Sequence, residues 1–176
     1  MIVQADALAT TVEPAEASGA VAALTGLAAW LPRRVLLAID LMLDVAFNGT
    51  AGPLSASALA EQQGLETRKL EAVLQRLSRA GLLKSVRGPS GGYLLGGEKA
   101  EITVAMITRA VLGGDLPVPL EQSPSATMRK VVLPLVERFH QNMLTDMAGV
   151  SLADLCRLSR VAGLKSRCDG IVDFVI

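Results

Sequence analysis

At 176 residues the chain is long enough for one domain with its own core, or for a small domain with a helical extension, and its 17 basic and 17 acidic residues cancel to a formal charge of zero. Hydrophobic residues make up 51% and aromatic ones only 3%, so the core must come from Leu, Val, Ala, Ile and Met, a mixture that favours packed helices and a mainly α fold. One histidine and two cysteines make neither a disulfide framework nor a metal quartet and leave few acid–base options near neutral pH, so the chain is read as cytoplasmic and not an enzyme.

Residues 1–30 combine small side chains, weak periodicity and Pro14, the composition of an N-terminal extension. Its apolar stretch Ala17 to Leu31 has no basic residue ahead of it and is too short to span a bilayer, so no signal peptide and no membrane partner is expected. The pattern changes at Pro32. A proline at the helix start followed by Val35, Leu36, Ile39, Leu43 and Ala46 at helical spacing predicts a first helix over Arg33 to Phe47, ended by Asn48-Gly49.

Gly52-Pro53 marks a turn, Ser55 is placed to cap a short helix over Ala56 to Gln63, and Gly64 stops it. A second helix follows at once. Arg68 to Ala80, with Glu66 or Thr67 at its cap, carries Leu70, Val73, Leu74 and Leu77 on one face and ends at Gly81. Two helices so closely spaced are a helix-turn-helix signature. Leu82 to Val86 and Tyr93 to Leu95 then read as strands joined by the tight loop Gly88 to Gly92, which makes a wing.

Thr103 is expected to cap a helix over Val104 to Leu112, closed by Gly113-Gly114, and Leu116 to Pro124 reads as a loop interrupted by proline. From Ser125 to Met147, Met128, Val131, Val132, Leu135, Val136, Phe139, Met143 and Met147 recur three or four apart, which predicts a long amphipathic helix. Pro134 must either kink that helix or begin it, since proline lacks the backbone donor and clashes with the preceding turn. Ser151 and Asp154 have the spacing of a capping box for a last helix through Leu158. The chain thus divides into an extension (1–30), a winged helix-turn-helix domain (31–114), a loop (115–124) and a helical region (125–176).

Charge is unevenly distributed. No Lys or Arg precedes Arg33, whereas Arg68, Lys69, Arg76, Arg79, Lys84 and Arg87 fall between Glu66 and Gly92, against Glu66 and Glu71 alone. With Leu70, Val73, Leu74 and Leu77 turned inward, helical periodicity turns Arg68, Ala72, Gln75 and Arg79 outward, with Arg76 flanking. Small or polar residues near the start of a helix and cations along its flank suit a major groove, whose base edges are hydrogen-bond patterns and whose phosphates are charges. Arg68, Ala72 and Gln75 are therefore assigned to base edges, and Lys69, Arg76 and Arg79 to phosphates of double-stranded DNA. Ser55 and Thr67, at the starts of the two helices, complete this set. In the wing, Arg87 and the backbone of Ser90, Gly91 and Gly92 are placed to approach a minor groove, where narrow walls concentrate negative potential. The alternative for each is an ordinary solvated helix face or hairpin turn. A nucleotide-binding loop is excluded, because the glycines lack the Gly-Lys-Ser/Thr ending and the following helix.

The run LAIDLMLDVA, followed by PLSASALAEQQGLETRKLEAVLQRLSRAGLLKSVRGPSGGYLL and then EITVAMITRAVLGG, resembles the Rrf2 family of bacterial transcription regulators over about Leu37 to Gly114. Its most specific piece is Leu77 to Tyr93, and SLADL at Ser151 to Leu155 is similar to the family's segment after its dimer helix. The resemblance implies a homodimer joined by the long helix, with one reading head per half of an imperfect palindrome. Members that hold an iron–sulfur cluster carry three closely spaced cysteines before the dimer helix, and Gly113 to Val131 contains none, so no cofactor is expected. Asp40, Leu94 and Gly97 stand where the family often has basic residues, and Lys69 where an aromatic is frequent.

Cys156 and Cys168 have Arg157, Arg160, Lys165 and Arg167 nearby in sequence. Basic neighbours lower a thiol's pKa, which makes the pair a candidate redox switch, against the alternative of buried filler. His140 has no ligand constellation around it, and no metal site is expected. The reading is of a sequence-specific DNA-binding regulator, a repressor acting as a homodimer on a palindromic operator, with an unidentified effector. The competing reading is a winged-helix module that binds protein and not DNA.

Overall fold

A computed structural model describes residues 31–49, 52–113 and 125–166. The N-terminal extension, Gly114, the loop 115–124, Cys168 and the end of the helical region lie outside the described residues. Within them the fold is mainly helical, with a two-stranded antiparallel sheet: α1 (Arg33–Asn48), α2 (Ala56–Gln62), α3 (Thr67–Arg79), β1 (Leu83–Val86), β2 (Gly92–Leu95), α4 (Val104–Leu112), α5 (Leu133–Ala148) and α6 (Leu152–Val161).

The core follows the apolar periodicity. α1 buries Val35, Ala38, Leu41, Met42 and Val45, and α3 buries Leu70, Val73, Leu74 and Leu77. These join Leu59 of α2, Leu83 of β1, Ile107 and Val111 of α4 and Leu152 of α6 among the buried residues. Polar ties fix the angles between the helices. Asp44 of α1, itself buried, accepts from the side-chain amides of Gln62 and Gln63, which ties the end of α2 to α1.

Both helices of the helix-turn-helix are stopped by glycine. Gly64 and Gly81 adopt φ of 60° and 75°, a left-handed conformation that costs a side chain about 1–2 kcal/mol and glycine nothing. Each lets the chain fold back so that Leu65 N donates to Ala60 O and Leu82 N to Leu77 O, both at 3.0 Å, the bonds that satisfy the last carbonyls of α2 and α3.

β1 and β2 pair with Leu83 opposite Leu95 and Val86 opposite Gly92. A third strand contact, absent from the sequence reading, is made by Leu54, which exchanges two backbone bonds with Tyr93 (3.0 and 2.8 Å). Ser55 follows directly, so the wing is anchored to the start of α2.

The long C-terminal helix resolves the question posed by Pro134. Ser125 Oγ accepts from Met128 N at 3.2 Å, and the helix continues through a π-helical turn, Met128–Val132, into α5, where Pro134 occupies the first turn. The proline ring would crowd the carbonyl of Lys130 in a regular helix; widening the turn that contains this carbonyl keeps the helix continuous. α6 begins with the expected capping box: Ser151 Oγ accepts from Asp154 N at 3.2 Å, and Asp154 Oδ2 accepts from Ser151 N at 3.0 Å. It runs three residues beyond the expected end, to Val161. The chain then returns to α1, where Ser166 Oγ donates to Phe47 O at 2.8 Å and the Arg160 guanidinium lies 5.9 Å from the centre of the Phe47 ring.

Candidate nucleic-acid interface

α3 carries the expected outward face. Arg68, Lys69, Ala72, Gln75 and Arg79 are exposed, Thr67 is half-buried, and the leucine and valine stripe lies on the opposite side. Lys69 Nζ lies 3.5 Å from Glu66 Oε1 with both side chains mostly in solvent, a pairing weak enough to exchange for a phosphate. Glu66 caps the helix through its backbone position alone, without a side-chain bond to the first turn.

Arg76 departs from its expected role. Its Nη1 donates to the carbonyl of Val111, in the last turn of α4, at 2.9 Å, and the side chain is only half-exposed. Arg76 therefore ties α3 to α4, whereas helical spacing alone assigns it to a phosphate. Sequence spacing puts Arg76 on the flank of α3 but says nothing about which element lies beside that flank.

The wing glycines also act differently from expectation. Their missing side chains suggest room for another molecule, yet at Gly91 and Gly92 the space is filled by this chain. A Cβ on Gly91 would stand 2.4 Å from Val86 O, and one on Gly92 would stand 2.3 Å from Leu54 O. The Gly91 amide is itself used, donating to Gly88 O at 2.9 Å. Arg87 and Ser90 remain exposed at the hairpin tip, as does Lys84 on β1. Ser55 has a structural duty as well: its Oγ accepts from Ala58 N at 3.1 Å as the cap of α2 and lies 2.9 Å from Ser57 Oγ.

Two exposed residues beside this face escaped the sequence reading. Ser57 stands in the first turn of α2 and Glu71 on α3, one turn after Arg68. Neither is a cation, yet a carboxylate on a face turned to bases is equally informative, since it accepts from the amino group of cytosine.

The candidate redox switch fares differently. Cys156 is buried at 5% exposure in the core beside α1, and burial pushes its thiol above the ordinary value, with Lys99 and Arg160 pulling the other way without prevailing. Its basic neighbours Arg157 and Arg160 turn outward on the helix and the thiol is shielded, which favours the alternative of buried filler for this residue. His140 is half-exposed with Nδ1 4.0 Å from Glu137 Oε2, and among the described residues no three His, Cys, Asp or Glu side chains gather as a metal site.

Two helices joined by a tight turn, with a hairpin bonded to the first of them, define a winged helix-turn-helix of the kind used by transcription regulators. The chain belongs to the Rrf2 family, described as iron-dependent transcriptional regulators, which it matches over residues 31–158. It is 46% identical over 74 residues to the HTH-type transcriptional regulator IscR of Escherichia coli, an alignment covering 42% of this chain and 46% of that protein; the match thus spans about half the length of this curated relative. Among solved structures, T. potens IscR aligns with a TM-score of 0.62 and 29% identity over 77% of this chain and 92% of that one. CymR, the global cysteine regulator of B. subtilis, aligns with a TM-score of 0.58 and 28% identity over 73% of this chain and 96% of that one. The family and these relatives are transcription regulators and not enzymes. Among the described residues no helix is long and apolar enough to cross a membrane.

Proposed function

We propose that the chain is a sequence-specific DNA-binding repressor that acts in the cytoplasm as a homodimer on a palindromic operator. The observation that carries this reading is the exposed face of α3, with Arg68, Ala72, Gln75 and Arg79 in solvent opposite a fully apolar stripe and the cationic hairpin tip at Arg87 attached to the same module. Arg68, Ala72 and Gln75, with Glu71, read base edges; Lys69 and Arg79 hold phosphates; Arg87 reaches the minor groove. Thr67 and Ser55 line the approach of the helix starts to the backbone. Repression follows from occupancy, because a dimer seated on a promoter excludes the polymerase from the same DNA.

The homodimer is supported by α5 and the turn before it, where Val131, Val136 and Phe139 stand at 61%, 51% and 57% exposure. A contiguous apolar stripe of this size in water marks a contact surface, and a two-fold pairing of identical helices is the simplest closed way to cover it.

The family description refers to iron, but the donors present do not fit an iron–sulfur cluster, which thiolates hold. Gly113 to Val131 contains no cysteine, and Cys156 is buried in α6. We therefore assign no cluster to this chain.

The test is binding to duplexes selected from a random-sequence library, repeated at rising salt. Phosphate-driven binding must weaken steeply, with log affinity falling linearly in log salt. Arg68→Ala is expected to relax base preference at one position per half-site at a cost of about 1–3 kcal/mol, while Arg79→Ala weakens all sequences alike. Failure to recover any duplex would instead support a protein-binding winged helix.

A further inference from the structure

α4 lies between the reading head and the long helix and is held by both. Its first residue, Val104, donates its N–H to Val150 O at 2.9 Å, just beyond α5. In its middle, the buried Thr108 hydroxyl donates to Met147 Sδ of α5 at 3.5 Å. At its last turn the Val111 carbonyl accepts from Arg76 of α3 at 2.9 Å. That last bond joins a permanent cation to a helix C-terminus, where the outermost carbonyls lack intrahelical partners and the dipole is negative. A planar guanidinium reaching a backbone carbonyl constrains direction as well as distance.

We infer that Arg76 is a positioning residue: by donating to Val111 O it sets the angle between the recognition helix α3 and the α4–α5 frame, and with it the half-site spacing that two reading heads can address together. The spacing part rests on the homodimer proposed above; the role of Arg76 as a carbonyl partner in place of a phosphate ligand does not. In a dimer joined through α5, each head reaches DNA through α4, so a small rotation of α3 on α4 displaces its N-terminal base-reading end along the groove. Arg76 is thereby coupled to specificity without touching DNA.

The experiment uses the full chain and a palindromic duplex recovered by selection from a random-sequence library, with the half-sites moved one base pair closer and one farther apart. Arg76→Gln is expected to lose roughly tenfold in affinity at the preferred spacing, as befits loss of a charge-assisted bond, and to discriminate less among the three spacings. Its slope of log affinity against log salt should match the parent's, whereas Arg79→Ala should make that slope shallower by about 1.8, the loss of one phosphate contact from each of the two heads. Arg76→Lys, which keeps a cation and a donor, should restore part of the spacing preference. In the parent protein, which requires no substitution to fold, the carbonyl carbon resonance of Val111 should stay in place when DNA is added and should move in free Arg76→Gln. A salt slope reduced in Arg76→Gln as in Arg79→Ala would overturn the inference, as would a Val111 resonance that shifts in the parent on adding DNA. Absence of any spacing preference in the parent would sink the dimer reading instead, while the salt slope and the Val111 resonance would still decide the role of Arg76.

Discussion

At Gly92 the backbone of the wing passes so close to Leu54 that a Cβ would stand 2.3 Å from its carbonyl oxygen. Gly92→Ala must push apart the Leu54–Tyr93 pairing that attaches the hairpin to α2, a strain of about 1–3 kcal/mol by analogy with overpacked interiors. Gly97→Ala, which meets nothing within 4 Å, serves as the control, expected to change stability by no more than about 0.5 kcal/mol. Chemical denaturation of the two variants checks this, and equal stabilities would show that the wing yields easily. At Cys156 the burial that raises the thiol pKa also blocks access. In a Cys168→Ser background, a disulfide reagent should leave the native protein unmodified and react promptly once denaturant is added. Prompt reaction in the native state would return Cys156 to the list of redox candidates.

The elements owe their limits to local signals that can be read in the chain. The serine and aspartate at the start of α6 form a reciprocal cap, and the Ser151 hydroxyl, which donates to Asp154 Oδ2 at 2.6 Å, is the main cause holding the Asp154 carboxyl below its ordinary value of 3.8, followed by the Ser151 backbone N–H. A carboxyl lowered in the folded state stabilises the fold at pH above 3.8 and loses that contribution as pH falls through the lowered value. Ser151→Ala should therefore cost about 1 kcal/mol at neutral pH and bring the Asp154 titration, followed by NMR, back toward 3.8. An unmoved Asp154 midpoint would show that the hydroxyl does not govern it. The π turn before Pro134 is of a different kind. Proline announces a disturbance of the helix, which the sequence pattern reads as a kink or a fresh start, whereas the widened turn depends on the balance of local packing and is not visible in the spacing.

At the scale of the whole molecule, the apolar positions of α5 are the clearest place where periodicity and burial part company. Leu144 alone of this helix is buried, although Leu135, Val136 and Phe139 share the helical spacing seen in the core helices. Periodicity marks a face that wants to leave water; it does not say whether the covering surface comes from the same chain. Val136→Glu combined with Phe139→Glu should convert the proposed dimer to monomers in sedimentation, with little effect on the melting of the winged domain, because neither side chain contributes to its core. Placing charges in an apolar interface without partners is strongly unfavourable. A dimer that survives both substitutions would locate the interface elsewhere.

The helices, the hairpin, the two glycine stops and the outward face of α3 were legible along the chain because each depends on residues within a few positions of one another, where spacing alone dictates direction. The roles of Arg76, Gly92 and Cys156 were not, because each is decided by a group far away in sequence: the Val111 carbonyl, the Leu54 backbone and the apolar shell beneath α1. A flanking arginine, a loop glycine and a cysteine among cations look functional until the fold shows what lies against them. Tertiary packing thus moved Arg76 from the proposed DNA contacts to the scaffold that aims them, and left Arg68, Ala72, Gln75 and Arg79 facing solvent as periodicity alone required.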